Sequence, residues 1–433
     1  MSLQDSANFK PNSLRTLFEG VSTYHWIAFA GCWLGGIFDG MDSTLMSVVL
    51  PTALAQLLHI TGDPTTLSNK AHIGQIGAYV TAIFLIGWTL GGVLFGWIGD
   101  KYGRVKAMMG SILLYSLFTG LCSVAQSWEQ LAAFRFLTGL GIGGELVSIA
   151  TFLTEVWPAK SRAIIIGLLI TSYQAGVFLA GGIHYAIGDW RLTFLLGALP
   201  ALLVVFIRST LKESDQWLAA TDNQPQEALF QSLFKKQHAK SIAIGCILFG
   251  TLLIGYWASL SWIPTWIQSL LPKGYDGNHE RSLATMAQAI AAIAGCSSAG
   301  FLCNRYGRRK AILIGFVGAL IASAWLFGLT NTFTTMVYVK NAMLGYFVGL
   351  LQAALYIYLP ELFPTRIRAT GTGFCLNAGR VLTAIAVLFM GPLVSMLAGY
   401  GTAALVFALA YAVGGLILFA AQETHGQLKT ENN

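Results

Sequence analysis

GDKYGRVK, from Gly99 to Lys106, and CNRYGRRK, from Cys303 to Lys310, are two basic turns, each set between long apolar stretches. A second landmark returns at nearly the same offset. LTEVWPAKSR, from Leu153 to Arg162, reappears as LPELFPTRIR, from Leu359 to Arg368, with Glu155 matched by Glu361 and Arg162 by Arg368. The chain therefore repeats itself, half on half. Two copies of one apolar bundle in one chain are the organisation of carriers that rock one half against the other.

Composition points the same way. Of 433 residues, 55% are hydrophobic and only 10% charged, too little charge to coat a soluble surface of this size. Twelve apolar segments are legible, each near or above the roughly 20 residues that a spanning helix needs. The expected fold is an all-α membrane protein of two six-helix bundles: a terminal segment 1–24, a first bundle 25–211, a linker 212–239, a second bundle 240–421 and a tail 422–433. The first apolar segment follows a polar, basic stretch without a small-residue cleavage site, so it is read as a retained helix. Most of the 26 lysines and arginines fall in the termini and in the connections on the side of the two turns, whereas the opposite connections hold Lys70, Arg191, Lys273 and Arg281. That bias predicts cytoplasmic termini in an inner or plasma membrane, and it accounts for the net charge of +7 without a nucleic-acid partner.

The six cysteines stand singly, without CxxC pairs or histidines at ligand spacing. They read as small buried hydrophobes, and neither a metal site nor a cofactor is expected. Without a GxxxxGK[ST] loop there is no ATP-driven engine, and no nucleophile–base arrangement marks an enzyme.

Ionisable residues inside apolar segments are functional candidates, because an unpaired charge at the bilayer centre costs at least about 2.5 kcal/mol. Asp42 in the first segment and Arg135 in the fourth both lie roughly 10 to 13 Å below the same end, close enough to meet. The pair is either a coupling device that protonation breaks or a structural bridge. Asp39 is one helical turn from Asp42, and two carboxylates this close should not both ionise comfortably. It either holds a proton or caps broken backbone beside Gly35, Gly36 and Gly40. Glu145 lies roughly 15 Å further along the fourth segment than Arg135, as a second proton carrier or as a structural partner for a neighbouring helix. Arg380 is about 18 Å into the eleventh segment, near the midplane. A guanidinium there grips a carboxylate through two parallel hydrogen bonds and so selects an anion; the alternative is permanent pairing with an acid of the bundle. Its repeat position falls near Gln174, which would give the shared cavity an amide. Lys340 reads as a snorkelling residue at a helix end. Tyr256, Trp257 and Tyr356 either line the pocket and stack on a ring-shaped substrate or serve packing.

The repeated turns also have a mechanical reading. Gly103 and Gly307 suit tight turns that a side chain would strain. Asp100, Arg104, Arg305 and Arg308, with Glu155, Arg162, Glu361 and Arg368, are expected to form bridges that close the inner face in one state and break in the other.

GDKYGRVK resembles the loop signature G-[DN]-x-x-G-R-[RK] of the major facilitator superfamily, and CNRYGRRK is its echo. The run RFLTGLGIGGELVSIATFLTEVWPAKSR, from Arg135 to Arg162, is similar to the pattern of the superfamily's sugar porter and organic-ion branch. ESDQW at Glu213 to Trp217 and QETHG at Gln422 to Gly426 resemble, in degenerate form, that branch's tags after the sixth and twelfth helices. Sugar porters carry paired glutamines in the seventh helix, where this chain reads GYWASLSWIPTW from Gly255 to Trp266, which disfavours a hexose. FDGMD at Phe38 to Asp42 resembles the helix-1 motif of aromatic-acid:proton symporters. GIGGEL at Gly141 to Leu146 and AGR at Ala378 to Arg380 are similar to bacterial nicotinate, sialate and organic-anion carriers. The resemblance implies a carboxylate substrate. The combined expectation is a monomeric secondary transporter that imports a ring-bearing monocarboxylate by proton symport. The rivals are a sialate or other sugar-acid symporter, an uncoupled facilitator and a membrane sensor without turnover.

Overall fold

The computed structural model describes residues 19–60, 67–158, 162–214, 218, 234–272, 275–363, 368–397 and 399–424, and its regular structure there is helical throughout. The first half contains α1 (Thr23–Leu57), α2 (Leu67–Tyr102), α3 (Arg104–Cys122), α4 (Trp128–Val156) and α5 (Arg162–Ile187). A sixth span follows, interrupted at Pro200 into α6 (Trp190–Leu196) and α7 (Ala201–Thr210). The second half opens with α8 (Ala239–Trp257), which breaks through a tight turn at Leu260–Trp262 into α9 (Ile263–Leu270). It continues with α10 (Asn278–Tyr306), α11 (Arg308–Gly328), α12 (Met336–Glu361), α13 (Arg368–Leu388) running into α14 (Met390–Met396), and α15 (Tyr400–Ile417). Ten of these spans are long and apolar enough to cross a membrane by length and composition; α1 and α5, of 35 and 26 residues, complete the twelve. Apolar side chains such as Leu202, Val205, Phe301 and Leu416 are 65–69% exposed on the outer faces, a surface suited to lipid and not to water.

The packing repeats with the sequence. In the first half α4 lies against α2 and α3, and α1 against α5; in the second α12 lies against α10 and α11, and α8 against α13. Close approach depends on glycine. A side chain at Gly143 would collide with the main chain of Trp88, and one at Gly349 with that of Ala292. The halves meet where α2 packs on α13 and α14, and where α5 packs on α10.

At the end that carries the basic turns, each half closes on itself in the same way. Gly103 and Gly307 have φ of 113° and 88°, the left-handed side that L side chains avoid. Glu213 accepts from the N–H groups of Val105 (3.1 Å) and Lys106 (3.2 Å), and Glu423 from those of Arg308 (2.9 Å) and Arg309 (3.0 Å). Each carboxylate satisfies the orphan donors at the start of α3 or α11, where the helix dipole also favours negative charge. The neighbouring hydroxyls, Ser214 and Thr424, donate to Glu155 and Glu361. Arg104 pairs with Glu155 at 3.2 Å and Arg308 with Glu361 at 3.0 Å.

The expected bridges of Arg104 to Glu155 and of Arg308 to Glu361 are formed, each within one half. Two other sequence expectations change here. Arg305 stands outside the network, exposed over the ring of Tyr306 at 5.6 Å. Lys340 does not snorkel: it is buried, and its Nζ donates to Leu329 O (3.0 Å) and Thr330 Oγ1 (2.8 Å), capping the C-terminus of α11 as a cation should. The side chains of Asp100, Arg162 and Arg368, and most of the 212–239 linker, lie outside the described residues.

Candidate functional site

A central cavity opens between the halves. The first half lines it with Gly36 and Asp39 of α1, Trp88 of α2, Leu146 of α4 and Leu169, Ile170, Ser172 and Tyr173 of α5; the second supplies Phe249, Tyr256 and Trp257 of α8, Gln352 and Tyr356 of α12, and Arg380 of α13. Six of its lining residues are aromatic. Trp88 meets Trp257 edge-on at 5.9 Å and Tyr173 meets Tyr256 at 6.4 Å, so these ring pairs also join the two halves.

Arg380 is the cation of this cavity. Its Nη1 donates to Asn377 Oδ1 at 2.9 Å, and its guanidinium lies 4.8 Å from the Trp88 ring. Among the described residues no carboxylate stands within ion-pair distance of it, so permanent pairing with an acid does not hold there. Asp39, fully buried, lines the same cavity, and neither of its oxygens has a hydrogen-bond partner among the described residues.

Toward the opposite end Asp42 and Arg135 meet, as their depths in the sequence suggested. Arg135 Nη1 is 3.4 Å from Asp42 Oδ2, the Thr119 hydroxyl donates to Oδ1, and the guanidinium lies 4.3 Å from the Phe84 ring. Glu145 is buried beside α1, where a side chain at Gly35 would strike its carboxylate, and it does not line the cavity although Leu146 does. Gln174 is likewise no lining residue. Its Nε2 donates to Gln352 Oε1 at 2.9 Å across the halves, and Gln352 is the amide that faces the cavity. Tyr256, Trp257 and Tyr356 all line it.

At the opposite end the contact between halves is polar and buried. Arg281, which the sequence places in a connection, belongs to α10 and is fully buried. Its Nη1 donates to Gln268 Oε1 at 2.6 Å and its Nη2 to Asn278, with His184 Nε2 of α5 at 3.5 Å. Asn278 in turn donates to Gly188 O at 3.2 Å.

Sequence reasoning missed Trp88, Asn377, Gln352 and Tyr173. Asn377 had a signal, one helical turn before Arg380 on the same face, and Gln352 had another as a lone amide in the apolar run of α12. Trp88 had none, since nothing local separates a cavity tryptophan from one at the lipid interface.

Residues 32–298 and 275–432 match the Major Facilitator Superfamily. The chain belongs to that superfamily. This superfamily member is 30% identical, over 92% of its length and 90% of the relative's, to the probable 4-methylmuconolactone transporter of Cupriavidus pinatubonensis. It is 27% identical, over 94% of its length and 96% of the relative's, to the niacin transporter NiaP of Acinetobacter baylyi. Its fold superposes on a crystal structure of a D-xylose-proton symporter with a TM-score of 0.76 at 18% identity, covering 94% of this chain and 100% of the other. The protein is a multi-pass membrane transporter of small molecules and not an enzyme.

Proposed function

We propose that this transporter imports a small ring-bearing organic monocarboxylate together with a proton. The observation that carries the reading is Arg380, a buried guanidinium facing an aromatic-lined cavity, with a neutral amide and an indole ring against it and no carboxylate in ion-pair distance among the described residues. A substrate carboxylate supplies the missing negative charge through paired hydrogen bonds, and the rings of Tyr256, Trp257 and Tyr356 offer faces to a flat substrate. The relatives named for methylmuconolactone and niacin support an organic substrate of this size.

Asp39 is the proton carrier in this reading: it is the carboxyl group that lines the same cavity as Arg380, and ionisable groups inside a bundle mark proton pathways. Asp42 and Arg135 form the pair whose making and breaking ties protonation to the rocking of the halves. Glu145, off the cavity wall, is a second buried acid on the same side. The coupling ion is H⁺, and no cofactor enters. The excess of basic residues at the turn end supports cytoplasmic termini in an inner or plasma membrane, and the joined opposite end supports release of substrate at the turn end.

Counterflow in proteoliposomes against a panel of carboxylates and sugars tests the reading. Exchange of ring carboxylates, with accumulation when the outside is made acidic, is expected; exchange of sugars with no carboxylate overturns it. Arg380→Ala should remove anion exchange while leaving the protein folded, and Arg380→Lys should rescue poorly because a point charge lacks the bidentate geometry. Wild-type rates in Arg380→Ala would sink the anion site.

A further inference from the structure

Two residues one turn apart on α2 meet two residues one turn apart on α13. Trp88 lies under the Arg380 guanidinium at 4.8 Å. Gly92, four positions on, lies under Asn377, where an added Cβ would stand 2.9 Å from Oδ1 and 3.2 Å from Nδ2. The Asn377 amide has one way to face: its Nδ2 donates to Gly373 O at 3.0 Å within its own helix, which turns Oδ1 to Arg380 Nη1 at 2.9 Å. An amide oxygen carries only a partial charge, so it orients a guanidinium without neutralising it.

We propose that Asn377 is a positioning residue that makes the cavity specific for anions, with Gly92 of the other half leaving the space that its side chain occupies. This inference rests on Arg380 being the anion ligand. One edge of the guanidinium is fixed by Asn377 and one face by Trp88, which leaves the remaining N–H groups aimed and uncompensated. An acid at position 377 would occupy the cation from within the protein, and a residue without an acceptor would let it swing. Because Trp88 and Gly92 belong to one half and Asn377 and Arg380 to the other, the pose of the cation also follows the relative position of the halves.

The decisive variant is Asn377→Asp, nearly isosteric and still able to accept from Arg380. The assay is concentration-dependent counterflow in proteoliposomes, using the panel carboxylate that the wild-type protein exchanges with the lowest KM. Asn377→Asp is expected to raise that KM by about tenfold or more, with normal expression and an unchanged melting temperature. Asn377→Ala is expected to raise KM less and leave kcat within about twofold. A structural role alone predicts lowered melting temperatures in both variants, since neither can donate to Gly373 O, and no rise of KM particular to aspartate. An aspartate variant that binds the carboxylate as well as the alanine variant does overturns the proposal. If Asn377→Asp fails to fold, Gly92→Ala serves in its place: raised KM at near-normal kcat supports the proposal, and an unchanged KM overturns it. Loss of exchange in Arg380→Ala together with wild-type behaviour of Asn377→Asp rejects this inference alone, whereas wild-type exchange in Arg380→Ala, or no exchange of any carboxylate by the wild-type protein, rejects both readings.

Discussion

Asp42 has two partners of different kinds, and they separate its roles. The Thr119 hydroxyl can serve an asparagine as well as an aspartate, but Arg135 needs the charge. Asp42→Asn is therefore expected to keep exchange of substrate across the membrane and to lose accumulation under an imposed pH gradient. The same substitution leaves a buried guanidinium without its counter-charge, a loss of about 3–5 kcal/mol in buried pairs, so the melting temperature should fall as well. Adding Arg135→Gln removes the stranded charge and should recover much of that stability without restoring accumulation. If Asp42→Asn still concentrates substrate, the pair is a brace and Asp39 or Glu145 carries the proton. These charges were legible in the sequence because an apolar helix tolerates few of them. Their neutral companions were less so: spacing puts Asn377 beside Arg380, but the amide orientation set by its bond to Gly373 O is not readable from sequence.

At the scale of single helices, the starts of α3 and α11 make the same demand. Each follows a glycine at positive φ and each has its first N–H groups held by a glutamate from the end of its own half. Gly103→Ala and Gly307→Ala force a side chain into that backbone region and toward Glu213 or Glu423, at a cost of about 1–2 kcal/mol each. Glu213→Ala and Glu423→Ala remove a cap, typically about 1 kcal/mol. Thermal melting in detergent should show lowered transitions for all four, and a Gly103→Ala protein as stable as wild type would contradict the turn geometry. The glycines and basic residues of these turns were legible because the chain repeats them. The break between α8 and α9 was legible only in part: Pro264 sits at the first turn of α9, while the stacking of Trp262 on Tyr400 at 5.9 Å is a contact far away in the sequence.

At the scale of the whole molecule, the two halves are held together at the opposite end by a small polar knot. His184 from the first half and Arg281 from the second share Asn278, and Arg281 is buried without a carboxylate in ion-pair distance among the described residues. Asn278→Ala should loosen this contact and shift the resting population toward opening at that end. A reporter cysteine at Ser47, in a background freed of the six native cysteines, should then label faster from that side. Labelling unchanged by Asn278→Ala, in a reporter that responds to substrate, would count against the knot as a latch.

The capping of each bundle by its own last residues has a further consequence for how the chain can be divided. Glu213 and Ser214, the first residues of the expected linker, finish the rim of the first bundle, and Glu423 and Thr424, at the start of the tail, do the same for the second. Each half thus ends on its own rim bonds, and residues 215–233 follow the first of these ends in the sequence. The two pieces, expressed as separate polypeptides in one cell and divided within that stretch, should find each other through α2 with α13 and α5 with α10 and reconstitute transport. A division placed before Glu213 should strip the start of α3 of its carboxylate and yield a first fragment that is degraded.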